Sequence, residues 1–81
     1  MQEAKIRNMG VAAYAIAQGA KLLRCEPIES RRALFVVESD LDGEELTREF
    51  FTGSQVPARD YYRALQDVRY AVKRLFDGGA L

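Results

Sequence analysis

Between Gly10 and Gln18 the chain carries no charge and is dominated by alanine, the strongest helix former, and Gly19 stands where a left-handed C-cap is expected. This predicts a first helix near residues 8 to 18. Val11, Tyr14, Ala15 and Gln18 share one face, and Ala12, Ala13, Ile16 and Ala17 the other, so neither side offers a solvent surface. A helix apolar all round must be covered on more than one side, with alanines permitting close approach. In a chain of 81 residues, which buries only about 60% of its unfolded surface, that requirement governs how the rest is arranged.

The pattern then shortens to a period of two. Lys21–Pro27 and Ala33–Ser39 read as two strands joined by the polar turn Glu29, Ser30, Arg31 and Arg32, a β-hairpin. Alternation directs Leu23 and Cys25, with Ala33, Phe35 and Val37, toward the core. Leu22, Leu34 and Val36 then point the other way. Pro27 suits an edge strand, where its missing N–H is not needed.

Ser39, Asp40 and Asp42 are each candidates for the N-cap of a second helix that carries Glu44, Glu45 and the Leu46/Phe50 pair and stops at Gly53. Pro57 suits the first turn of a third helix reaching about Phe76, ended by Gly78 and Gly79. Its apolar stripe is Tyr61, Leu65, Val68, Val72 and Leu75, flanked by Tyr62 and Phe76. The expectation is a single α+β domain ordered over about residues 8 to 77, in the order α-β-β-α-α, with a two-stranded antiparallel hairpin packed against helices.

Chemistry is sparse. The absence of histidine removes the commonest general base and metal ligand, and no nucleophile–base pair can be named, so the chain reads as no enzyme, with no catalytic residue, metal or cofactor. The single cysteine, Cys25, cannot form an internal disulfide; it reads as a buried structural thiol and favours a reducing cytoplasm. The acidic run Glu38, Asp40, Asp42, Glu44 and Glu45 lacks calcium-loop spacing and is better explained as helix capping. The glycines form no phosphate-binding loop. Met9–Ala17 is about half the length of a bilayer-spanning helix, so no membrane partner is expected, and it lacks the flanks of a signal peptide.

Two surfaces remain. Arg59, Arg63, Tyr70, Lys73 and Arg74 lie on the third helix opposite its core stripe, where arginines can meet phosphates of DNA or RNA and a tyrosine can stack on a base. The plainer reading is a solvated face balanced by Asp60, Asp67 and Asp77. Lys21, Arg24, Arg31 and Arg32 offer a second basic edge. Lys plus Arg and Asp plus Glu are equal at 12 each, which opposes tight binding by bulk charge. The other surface is Leu22, Leu34 and Val36. Either the first helix covers it or it is a protein interface, for a homodimer or for docking on a larger protein.

Taken together, Gln18-Gly19 after the alanine-rich helix, Lys21-Leu22-Leu23, Leu34-Phe35-Val36-Val37-Glu38, Glu49-Phe50-Phe51-Thr52-Gly53 and Val56-Pro57-Ala58-Arg59-Asp60-Tyr61 resemble a family of short uncharacterised proteins from phages and bacterial mobile regions. The resemblance covers nearly the whole chain and rests on core and capping residues. It implies a small accessory protein in a bacterial or phage cytoplasm and carries over no catalytic residue; contact with nucleic acid or a nucleoprotein complex is the expectation drawn from the basic face of the third helix. Cys25 stands where that pattern leads one to expect an aliphatic residue.

Overall fold

The computed structural model describes residues 1–29 and 32–77. Along them run β1 (Gln2–Ile6), α1 (Met9–Ala17), β2 (Lys21–Glu29), β3 (Arg32–Ser39), α2 (Gly43–Phe51) and α3 (Ala58–Phe76), a mixed α+β architecture. Ser30 and Arg31 of the expected turn, and the expected stop at Gly78 and Gly79, lie outside the described residues.

The hairpin is present, but it is not two-stranded. β3 is the central strand of an antiparallel sheet ordered β1-β3-β2, with Ala4 opposite Val37 and Ile6 opposite Phe35. β1 was not expected, because only Ala4 and Ile6 in Gln2–Ile6 are apolar and its other residues have weak strand preference. It forms because β3 offers an unpaired edge and the helices offer cover for those two side chains, both buried. Ordered structure therefore begins before residue 8, and the element order is β-α-β-β-α-α.

α1 sits at the centre. Val11 through Ala15 are all buried, between the sheet on one side and α3 and α2 on the other, as its lack of a polar face requires. Asn8 caps it, its side chain accepting the Val11 N–H at 3.0 Å. At the other end the Ala20 and Gly19 N–H groups donate to the carbonyls of Ala15 and Ile16, a paired closure that the positive φ of Gly19 permits. The Tyr14 ring is buried, yet its hydroxyl donates to Glu49 Oε1 and accepts from Gln18 Nε2, each at 2.9 Å.

Among the three N-cap candidates for α2, Asp42 takes the role. Its carboxylate accepts the Glu45 N–H at 2.8 Å and Glu45 returns a bond to the Asp42 N–H. Ser39 accepts the Leu41 N–H instead, and Asp40 is exposed. The start of α2 lies hard against β1: a Cβ on Gly43 would run into the Lys5 carbonyl oxygen. Pro57 is the residue before the first turn of α3 rather than within it. On α3 the stripe Tyr61, Leu65, Val68, Val72 and Leu75 does face the core, joined by Ala64 and Phe76. Tyr62 stands at its margin but takes no part in closing the core, being 64% exposed.

Gly43→Ala is the sharpest test of this packing. Alanine in a helix is ordinarily worth up to about 1 kcal/mol over glycine. Here it forces α2 away from β1 and should destabilise by roughly 1–3 kcal/mol in urea unfolding.

Candidate nucleic-acid interface

The outer sheet face is not the apolar surface that strict alternation implies. A bulge in β2 shifts its register between Leu22 and Arg24, so that Leu22 lies opposite Val37 and packs on the core while Leu23 becomes exposed. One extra residue reverses the expected roles of Leu22 and Leu23; Cys25, opposite Phe35, faces inward as expected but is only partly buried, and that burial raises its thiol pKa above the ordinary value.

Val36 does face outward, between Lys5 on β1 and Arg24 on β2, yet it has no exposed surface. Arg24 reaches from one edge strand across the central strand to Glu3 on the other, Nη2 to Oε1 at 3.2 Å, while its Nε bonds Glu26 at 2.6 Å. Its aliphatic stem and guanidinium thus lie over the strand that carries Val36. The hydrogen bond from Arg24, and then its charge, hold the Glu3 carboxyl below its ordinary pKa. Arg24 is committed within the sheet and is not a free member of a basic edge. Of the three proposed interface residues, Leu22 turns inward and packs against the core while partly buried, Val36 is covered, and Leu34 faces outward and is partly exposed.

The outer face of α3 is different in kind. Nineteen residues of regular helix with Ala64 and Val68 buried on one side fix the direction of every other side chain. Arg59, Arg63, Tyr70, Lys73 and Arg74 are all exposed, as expected, and so are Tyr62 and Arg69, which the sequence reading left out of this set. The helical period carried the missing signal: Tyr62 and Arg69 fall beside Lys73, at the margin of the apolar stripe rather than in it. Among the described residues no salt bridge engages Arg59, Arg63, Arg69, Lys73 or Arg74. The Arg74 guanidinium instead lies over the Tyr70 ring, 5.7 Å from its centroid. Asp60 and Asp67 stand beyond Arg63 at one margin of this face, and Asp77 is the C-cap.

An open groove of about 750 Å³ lined by Lys5, Arg7, Leu34, Glu44 and Arg48 runs along the β1 edge and has charges of both signs. No group of His, Cys, Asp or Glu among the described residues is arranged to hold a metal ion; Asp42 and Glu45 are taken up by capping, and Glu44 pairs with Arg48 at 3.5 Å. No described helix is long and apolar enough to cross a membrane. Compared with family models, curated proteins and solved structures, the chain matches none.

The two outward strand residues should separate under substitution. Val36→Glu places a charge where no water reaches and should cost roughly 3–5 kcal/mol or prevent folding. Leu34→Glu, half in solvent, should keep the native circular dichroism and lose less than about 1.5 kcal/mol in urea unfolding.

Proposed function

We propose that this chain is a non-enzymatic accessory module that contacts nucleic acid, or a complex that handles it, through the outer face of α3. The observation that carries the reading is the set of exposed cations Arg59, Arg63, Arg69 and Lys73, none in a salt bridge among the described residues, interspersed with two exposed tyrosines on one rigid helix. A solvated face on a neutral protein is normally laced by pairs between positions three or four apart. α3 has such spacings, since Asp60 and Asp67 stand three and four residues from Arg63 and Asp77 four from Lys73, yet among the described residues none of them closes as a salt bridge, and Arg59, Arg63, Arg69, Lys73 and Arg74 outnumber the three acids. Phosphate oxygens, like carboxylates, are met by guanidinium groups with paired hydrogen bonds.

The competing reading, docking of a protein on the outer sheet face, loses two of its three residues to the core and to the Arg24 strap. A cytoplasmic setting in a phage or a bacterial mobile region follows the resemblance drawn from the sequence and belongs to the same proposal.

Binding should be modest and dominated by charge. If four cations meet phosphates, the logarithm of the association constant should fall against the logarithm of salt with a slope of about −3 to −4. Fluorescence anisotropy with labelled oligonucleotides between roughly 50 and 200 mM salt reads this directly. The double variant Arg63→Glu/Lys73→Glu should lose binding while its thermal melt is unchanged, since both side chains are exposed. Salt-insensitive binding, or full binding by that variant, would overturn the proposal.

A further inference from the structure

We infer that the outer face of α3 takes single-stranded nucleic acid, with unpaired bases stacked on Tyr62 and Tyr70 and the sugar–phosphate chain held by the flanking cations. This rests on the proposed contact with nucleic acid and goes further by naming the form of strand.

Residues four apart on a helix make a continuous ridge, and Tyr62, Gln66, Tyr70 and Arg74 are one such ridge. Arg59 and Arg63 belong to the row on one side of it, Arg69 and Lys73 to the row on the other. Both rings are largely in water, at 64% and 62% exposure. Tyr62 lies eight residues before Tyr70, so the two rings sit about 12 Å apart along the axis, with the Gln66 amide between them. A shallow hollow of about 440 Å³ is lined by Gln66, Asp67, Arg69, Tyr70 and Lys73.

Each part of this arrangement suits a flexible single strand better than a duplex. An aromatic ring binds a base by its face, and in a duplex the faces are already occupied by neighbouring bases. Arg74 stacks over Tyr70 from within the helix and forms a ready-made cation–aromatic platform.

The test compares three labelled probes of equal length at about 50 mM salt, where phosphate contacts are strong: a deoxythymidine strand, a blunt duplex, and a strand of abasic sugar–phosphate units. The thymidine strand should bind roughly tenfold more tightly than the abasic strand. Tyr62→Ala and Tyr70→Ala should each lose about tenfold on the thymidine strand and nothing on the abasic one. Tyr62→Phe and Tyr70→Phe, which keep the ring, should retain binding, and circular dichroism should be native for all four variants. Equal affinity for all three probes, or no loss in the alanine variants, would overturn the single-strand inference and leave phosphate contact standing. Binding of none of the probes would overturn both.

Discussion

Everything in this fold is arranged around the need to bury α1 on all sides. A helix with no polar face cannot lie on a surface, so the chain must supply a layer above it and a layer below it. The sheet provides one and α3, with α2, provides the other. The alanines matter because a small domain has little area to spend. Ala12, Ala13 and Ala15 let the neighbouring layers come close, and the large side chains Phe35, Tyr14, Val37 and Val68 fill the space around them. Gly10 extends the same logic to the start of the helix, where a Cβ would press on Phe50 and on the Tyr61 hydroxyl.

The burial of α1 also determines which face of α3 is left for other work. With Ala64 and Val68 pressed to the core, the period of the helix sends Arg59, Tyr62, Arg63, Gln66, Tyr70 and Lys73 to solvent. The outer face of the sheet is the other large surface, and the protein itself covers its central apolar residue, Val36. Arg24 spans the central strand to Glu3, and the bulge beside it turns Leu22 inward. β2 is an edge strand interrupted by two register shifts and carrying Pro27, features that discourage pairing with a further strand. The sheet face keeps Lys5 and Lys21 outside any salt bridge among the described residues, but α3 gathers more such cations, Arg59, Arg63, Arg69, Lys73 and Arg74, along one helix.

Local signals in the sequence were legible wherever the cause was itself local. The Gly19 and Gly53 helix ends depend on one residue adopting positive φ, and both do. The alanine-rich helix, the paired strands and the long amphipathic helix were marked by periodicity, and the exposed Arg59, Arg63, Tyr70, Lys73 and Arg74 follow from the last of these. What could not be read depended on partners distant in the chain. β1 has almost no intrinsic strand preference and exists because β3 pairs with it. The reversal of Leu22 and Leu23 comes from a bulge, which alternation alone does not reveal.

By itself, then, the sequence determined the helices, the glycine stops of the first two, the central hairpin and the absence of histidine chemistry, since each depends on residues close together or on composition. The tertiary structure alone decided that a third strand joins the sheet, that Val36 lies beneath an arginine, and that Tyr62 turns to solvent beside Arg69. In each of these cases the side chain's surroundings are supplied by another segment, and burial is a property of that packing and not of the residue.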